Sequence, residues 1–210
     1  MTTEEYSQID WTFGLCRSFD ALGVHHKINS LLPNGAIVIE IGSYAGISSL
    51  CWAGDDHKVF CIDPWNDVDY GDDKDNTAST IRKLGGGVAL FNNFCKNVQN
   101  HLFKDVIPIR GLSTEIAAIF PFLIDFIFID GEHTYKAVMD DFHSWKHLFK
   151  PSTILAFDDY GDYFSGIKLA VNEIVGVKNL ESFMPEWINK SEGIVHCKAE
   201  KIWHKIKNHD

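Results

Sequence analysis

The sequence predicts an α/β fold in which helices cover both faces of a doubly wound, mostly parallel sheet. Short apolar runs rich in β-branched and aromatic residues recur along the chain, as expected of strands buried on both faces of a parallel sheet. Segments with apolar residues at steps of three or four separate these runs and predict helices. Strands that alternate with helices in this way are typical of a doubly wound sheet. A chain of 210 residues is long enough for one such domain with a large core.

The predicted strands follow a polar N-terminus. Residues 1–35 are expected to form a helical lead that closes at the turn Pro33-Asn34-Gly35. Residues 36–210 are expected to form the main domain. Its five predicted strands are Ala36–Ile41, Val59–Ile62, Val106–Ile109, Phe126–Ile129 and Ile154–Phe157.

Two helices in the second half of the chain have boundaries that the sequence indicates. Apolar residues between Tyr135 and Phe149 recur at steps of three or four, so they predict one helix, which Pro151 ends. Ser165 is the expected N-cap of a second helix that closes at Gly176.

Residues 65–90 depart from the alternation of strands and helices. Five aspartates fall between positions 67 and 75, and three consecutive glycines follow at positions 85–87. One interpretation is a solvated loop with a flexible turn. The other is an acidic insertion that closes as a lid over the carboxyl edge of the sheet, with the glycines as its hinge.

The net charge and the cysteines limit the classes of partner. The chain carries 19 Lys and Arg against 29 Asp and Glu, a net charge of −10. Proteins that bind nucleic acid usually present a basic surface, so neither nucleic acid nor an anionic membrane is expected as a partner. The five cysteines form no C-x-x-C pair and are expected to stay reduced, and no apolar run approaches the ~20 residues of a membrane span. The acidic N-terminus does not resemble a signal peptide, so a cytoplasmic location is predicted.

A glycine-containing loop after the first strand is the first indication of a ligand site. The strand ends at Ile41, and the spacing Glu40-x-Gly42-x-x-x-Gly46 does not match the dinucleotide-binding pattern G-x-G-x-x-G. Asp63 lies at the end of the second strand, about 20 residues after Gly42, where a carboxylate can bind the hydroxyls of a ribose. These features predict a nucleoside site. The alternative is a plain tight turn.

Three aspartates that follow two later strands indicate a second site. Asp130 directly follows the fourth predicted strand, and Asp158 and Asp159 follow the fifth. Because parallel strands end at one edge of a sheet, the three carboxylates should converge there and repel one another. A divalent cation would remove the repulsion, and oxygen ligands favour Mg²⁺ or Ca²⁺ over zinc. The alternative is that Asp158 or Asp159 only caps the turn into Tyr160-Gly161.

Glu132 and His133 come just after Asp130 and are the candidate general bases. His133 is favoured because an unperturbed imidazole titrates near neutral pH. Glu132 is the alternative base. A loop histidine that only forms structural hydrogen bonds is the third interpretation.

The segments E-I-G-S-Y-A-G and C-I-D-P-W resemble motifs I and II of class I S-adenosylmethionine-dependent methyltransferases, which have a Rossmann-like fold. The resemblance implies that the glycine loop lies under the methionine part of the cofactor and that Asp63 binds the ribose. It places Ser113 near the adenine, although Ser113 could also be a helix N-cap. Trp65 could stack on the adenine or belong to the core. The cofactor-binding residues implied are Glu40, Gly42, Ser43, Tyr44, Gly46, Ser48, Asp63, Trp65, Ser113 and Asp130.

The pattern D-G-E-H-x-Y-x-x-V-x-x-D, with a later D-D-Y, resembles a subfamily of metal-dependent sugar and natural-product O-methyltransferases. The resemblance covers roughly residues 36–176 and implies a magnesium ion held by Asp130, Asp158 and Asp159. The predicted function is metal-assisted methyl transfer from S-adenosylmethionine to a hydroxyl of a small molecule, such as a sugar or a catechol-like ring. A homo-oligomer is left open. The alternatives are a metal-dependent hydrolase that uses the same acidic residues with His133, and a non-catalytic nucleoside-binding protein.

Overall fold

The computed structural model describes residues 7–13, 19–54, 56–68, 77–100, 105–183 and 193–207. Most of the acidic run in the 65–90 segment, residues 69–76, lies outside these ranges. Within the described residues, no helix is both long enough and apolar enough to cross a bilayer.

Six strands form one sheet, and the five predicted strands are confirmed. The strand order is β3-β2-β1-β4-β5-β6, and all neighbours are parallel except β5 and β6, which are antiparallel. The sequence did not predict β6, because its four residues are too few to show a pattern. The strands are β1 (Ile37–Ile41), β2 (Lys58–Asp63), β3 (Val106–Arg110), β4 (Ile124–Ile129), β5 (Phe149–Phe157) and β6 (Val195–Lys198).

Helices connect the strands and cover both faces of the sheet, as predicted. They are α1 (Phe19–Asn29), α2 (Ile47–Trp52), α3 (Thr77–Lys83), α4 (Gly86–Asn100), α5 (Ser113–Ala117), α6 (Tyr135–Trp145), α7 (Ser165–Ile174) and α8 (Trp203–Lys207). Short 3-10 helices cover Trp11–Phe13, Lys146–Leu148, Val177–Asn179 and Ala199–Ile202.

The sheet separates two apolar cores because successive side chains of a strand point to opposite faces. In β1, Ile39 packs with the core under α6 and α7, whereas Val38 packs with the core under α1, α2 and α4. The second core also contains Ile9 and Phe13. The described part of the N-terminal lead is therefore packed against the main sheet, although the division at residue 35 stays a prediction.

Two predicted helix boundaries are wrong, the end of α6 and the N-cap of α7. The helix from Tyr135 ends at Trp145, and Pro151 lies within β5. The pairing of β4 with β5 shifts register opposite residues 150–153, so Pro151 occupies an irregular stretch where its missing N–H breaks no ladder bond. Ser165 is the first residue of α7, and the N-cap position belongs to Phe164.

Two of the three consecutive glycines in the 65–90 segment begin a helix, and one of them lies against the backbone of Trp65. Gly86 and Gly87 begin α4. A Cβ on Gly87 would lie 2.1 Å from the carbonyl oxygen of Trp65, so glycine permits a close approach of two backbone segments at this point. This packing argues against a free hinge at Gly87, and the lid itself stays a prediction.

Candidate functional site

The carboxyl ends of the five parallel strands meet at one edge of the sheet, and the predicted site residues lie at or just after these ends. Backbone hydrogen bonds extend the sheet past the strand ends, from Gly42 N to Ile62 O (2.9 Å), from Asp130 N to Ile41 O (3.0 Å) and from Asp158 N to Ile129 O (3.1 Å). The loops that follow β1, β4 and β5 are thereby held side by side.

The two glycines of the loop after β1 are needed for close contacts. Gly42 has a φ of 85°, and a Cβ there would lie 2.0 Å from the carbonyl oxygen of Asp130. Gly46 has a φ of 81°, and a Cβ there would lie 2.8 Å from Cδ2 of Phe94 in α4. Larger residues would therefore push the loop away from its neighbours.

Asp63, at the end of β2, binds the backbone of the glycine loop. Its Oδ2 accepts a hydrogen bond from Tyr44 N (2.9 Å), and its Oδ1 accepts one from Trp65 N (2.6 Å). Burial raises the pKa of the Asp63 carboxyl to about 6, although the two backbone N–H groups oppose this rise. Each carboxylate oxygen retains a second lone pair, so ribose hydroxyls can still donate to it.

Arg110 stabilises the backbone that follows Asp63, and it was not predicted as a site residue from the sequence. It ends β3, in register with Asp63. Its guanidinium donates to the carbonyl oxygens of Pro64 (3.1 Å) and Trp65 (3.0 Å). The sequence feature that could have identified Arg110 is a basic residue at the end of the strand that pairs with β2.

Trp65 is completely buried, which favours the core interpretation over stacking on adenine. Its ring lies 4.8 Å from that of Phe91 and 4.9 Å from that of Phe94. Its Nε1 donates to the carbonyl oxygen of Tyr44 (2.8 Å). Trp65 therefore stabilises the glycine loop from the core side, through its hydrogen bond to Tyr44.

Glu40 is also buried behind the loop, where it anchors α2. Its Oε1 accepts a hydrogen bond from Trp52 Nε1 (2.9 Å), and its Oε2 accepts one from the Ser49 hydroxyl. Burial raises the pKa of the Glu40 carboxyl, and bonds from Ser49 and Ser48 oppose the rise. Ser43 is buried in the loop and accepts a bond from Gly46 N (2.7 Å) at its carbonyl oxygen.

Ser113 is partly buried and belongs to a hydrogen-bond network that was not predicted from the sequence. Its hydroxyl oxygen accepts a hydrogen bond from Trp145 Nε1 (2.8 Å), and the hydroxyl group donates one to the carboxyl group of Asp141. Burial raises the pKa of Asp141 to about 7, and the bond to Ser113 opposes this rise. The N-cap interpretation of Ser113 is wrong, because Leu112 occupies that position. Asp141 is the last residue of the D-G-E-H pattern, which was the available signal.

Asp130, His133 and Asp159 form the acidic cluster at the candidate metal site. One ligand atom each from Asp130, His133 and Asp159 lies within 4.8 Å of the others, and all three residues are partly buried. His133 Nε2 is 3.5 Å from Asp159 Oδ2. Asp159 has a φ of 52°, which confirms the expected turn at this position.

Asp158 is more deeply buried than its neighbour. Its Oδ1 accepts a hydrogen bond from Asp159 N (2.9 Å). Among the described residues, Asp158 is not part of the three-residue group. The bond to Asp159 N agrees with the turn-capping alternative and leaves a role in metal binding as a prediction.

Comparison with known families decides the class of protein. Residues 39–160, more than half of the chain, match the methyltransferase domain family. The chain belongs to this family. The predicted S-adenosylmethionine-dependent methyltransferase and its Rossmann-like fold are therefore confirmed.

Solved structures share the fold of this methyltransferase. A proposed O-methyltransferase from Klebsiella pneumoniae matches it with a TM-score of 0.65 at 11% identity, over 94% of this chain and 90% of that one. The O-methyltransferase TomG from Streptomyces achromogenes, involved in tomaymycin synthesis and solved with S-adenosylmethionine, matches with a TM-score of 0.61 at 12% identity and the same coverage. An uncharacterized protein of Acanthamoeba polyphaga mimivirus is 41% identical over 66 residues, which span 28% of this chain and 30% of that protein.

Proposed function

We propose that this methyltransferase moves the methyl group of S-adenosylmethionine to a hydroxyl oxygen of a small molecule, beside a bound divalent cation. The observation that carries the proposal is the contact of the two sites, in which Gly42 packs against the backbone of Asp130. A methyl donor seated on the glycine loop and an acceptor seated at the acidic cluster would therefore be neighbours. Proximity and alignment of the two reactants supply much of the rate of such a transfer.

The cofactor would bind along the glycine loop between Asp63 and Ser113. Asp63 would accept hydrogen bonds from both ribose hydroxyls, because its oxygens retain lone pairs after bonding Tyr44 and Trp65. Glu40 and Trp65 would act indirectly, since both are buried behind the loop. Their part would be to hold α2 and the loop in place.

The donors at the acidic cluster fit a divalent cation. Asp130 and Asp159 supply carboxylates and His133 supplies an imidazole nitrogen, and a cation offsets the repulsion between the carboxylates. Asp158 is the alternative third ligand, as the resemblance implies. When bound, such a cation would lower the pKa of an acceptor hydroxyl and orient it.

The proton of the acceptor hydroxyl would go to His133 or to Glu132. His133 Nε2 faces Asp159, and this same nitrogen cannot both bind a cation and accept a proton. If His133 is the base, Asp158 completes the ligand set. If His133 is the ligand, the proton goes to Glu132.

The acceptor is proposed to be a hydroxylated small molecule, such as a sugar or another natural product. The net charge of −10 disfavours nucleic acid. The fold alone does not decide the acceptor, because one fold serves many substrates. Magnesium as the cation and a cytoplasmic location are part of the proposal.

Calorimetry and an activity screen test the proposal. The protein should bind S-adenosylhomocysteine, and a panel of sugars and catechols should yield a methyl ether with S-adenosylmethionine in the presence of Mg²⁺. EDTA should abolish the transfer, and added Mg²⁺ should restore it. Transfer that survives exhaustive chelation would refute the role of the metal. Methylation of an RNA or DNA fragment in preference to every small molecule would refute the acceptor class.

Two variants separate the possible bases. His133→Ala should lower turnover ~10²–10⁴-fold with unchanged Mg²⁺ affinity if His133 is the base. A parallel loss of Mg²⁺ affinity, measured by calorimetry, would make His133 a ligand instead. Glu132→Gln should then lower turnover without affecting the metal, because the amide keeps the shape but cannot take the proton.

A further inference from the structure

Asn97 is a fully buried asparagine that joins two segments distant in sequence. It lies in α4, and its Nδ2 donates to the carbonyl oxygen of Ala45 in the glycine loop (2.9 Å). Its Oδ1 accepts a hydrogen bond from the backbone N–H of Asp10 (2.8 Å). One side chain therefore connects the N-terminal segment to the loop that carries the cofactor.

The segment of residues 7–13 is docked on α4 by further contacts around Asp10. Asn93 Nδ2 donates to the Asp10 carbonyl oxygen (3.2 Å), and Lys96 Nζ lies 2.6 Å from Asp10 Oδ2. Hydrogen bonds from Lys96 and Thr12 hold the pKa of the Asp10 carboxyl well below its usual range. Ile9 and Phe13, on either side, are buried in the core.

Two of the hydrogen bonds of Asn97 determine the orientation of its amide. The N–H of Asp10 can only donate and the carbonyl oxygen of Ala45 can only accept, so a single orientation of the amide satisfies both. Without Asp10, the amide oxygen would lose this donor, and rotation of the amide would place the oxygen against the carbonyl oxygen of Ala45. An unsatisfied buried polar group of this kind is costly.

We propose that Asn97 is a positioning residue for the glycine loop and that residues 7–13 hold it in the required orientation. Through Asn97, the N-terminal segment thus contributes to the affinity of the cofactor site. A second α4 side chain also contacts the glycine loop, because Phe94 packs against Gly46 at the end of that loop. This contact supports the assignment. The inference rests on the proposed binding of S-adenosylmethionine by this loop.

Variants of Asn97 test the inference, with calorimetric binding of S-adenosylhomocysteine as the measurement. Asn97→Ala should raise the dissociation constant roughly five- to tenfold, as expected for loss of the hydrogen bond that reaches Ala45 in the glycine loop. Turnover at saturating cofactor should stay within about twofold, because the reacting groups are untouched. Asn97→Asp should also weaken binding, since a carboxylate accepts from Asp10 N but cannot donate to Ala45. The matched control is Asn92→Ala, the same substitution at an exposed position of α4, which should leave binding within about twofold.

Deletion of residues 1–13 tests the contribution of the segment. It should raise the dissociation constant to the level of Asn97→Ala, and the two changes combined should be less than additive because they act through one contact. Since Ile9 and Phe13 are core residues, folding is checked by circular dichroism. If the deletion does not fold, Asn93→Ala replaces it, and a two- to threefold rise of the dissociation constant is expected.

Failure of the inference can be distinguished from failure of the proposed function. If Asn97→Ala lowers the melting temperature but leaves the dissociation constant within about twofold, Asn97 is only structural and the inference is wrong. If the unaltered protein does not bind S-adenosylhomocysteine, the proposed function itself is wrong.

Discussion

Asp141 should reduce the stability of the protein at neutral and alkaline pH, and Asp141→Asn should relieve this cost. The carboxyl group is buried in α6, and burial raises its pKa from an ordinary 3.8 to about 7. Asparagine keeps an oxygen that can accept the Ser113 hydroxyl bond, but it carries no charge to desolvate. The substitution should therefore stabilise the folded protein wherever the wild-type carboxyl would be ionised.

The size and the sign of this effect follow from the two pKa values. A carboxyl with a folded pKa of about 7 and an unfolded pKa of 3.8 binds its proton more tightly in the folded state. Stability of the wild type therefore falls as the pH rises from 3.8 to about 7, by at most roughly 4 kcal/mol. Relaxation and water penetration reduce that bound, so we expect Asp141→Asn to gain about 1–3 kcal/mol at about pH 8.

Urea denaturation across the pH range measures the gain. The gain in stability of Asp141→Asn over wild type should be smaller at about pH 5 than at about pH 8. Asp162→Asn is the matched control, because the Asp162 side chain is 81% exposed and pairs only at the surface with Lys168, so its effect should stay within about 0.5 kcal/mol. A gain of equal size at both pH values, or a loss of stability at about pH 8, would refute the reasoning.

Three further substitutions test the sheet edge. Gly42→Ala should destabilise the protein by about 2 kcal/mol or more and abolish cofactor binding, because the new Cβ would lie 2.0 Å from the carbonyl oxygen of Asp130. Thermal unfolding measures the loss of stability, and calorimetry measures the loss of binding. Asp63→Ala should raise the dissociation constant for S-adenosylhomocysteine roughly ten- to hundredfold, because the ribose loses a charged acceptor, and an unchanged constant in a folded variant would place the ribose elsewhere. Asp159→Asn should weaken Mg²⁺ binding while cofactor affinity stays nearly constant, and equal loss of both in calorimetry would contradict separate sites.

Most of the fold could be predicted because its signals are local. The five buried strands appear as continuous apolar runs, and α6 and α7 show the spacing of a helix with one apolar face. The strand β6 and the true end of α6 were not predictable in this way. The first is too short to show a period, and the second depends on where β5 pairs with β4.

The candidate site was only partly predictable. The residues after the strand ends were found because a parallel sheet brings all its carboxyl ends to one edge, so Gly42, Asp63, Asp130 and Asp159 follow from strand positions alone. A group that contains His133 instead of Asp158 was not expected. The direction of a loop side chain depends on its packing, here a ring contact between His133 and Phe164 at 4.0 Å.

The sequence by itself determined the order of elements, the loop with its two glycines and the acidic strand ends, since each depends on neighbours along the chain. Only the tertiary structure decided which side chains support these loops. Asn97 reaches Ala45 and Asp10 across 52 and 87 positions of sequence, and Trp145 reaches Ser113 across 32. Such contacts arise when helices from different parts of the chain pack on one sheet, and no local pattern of residue types encodes them.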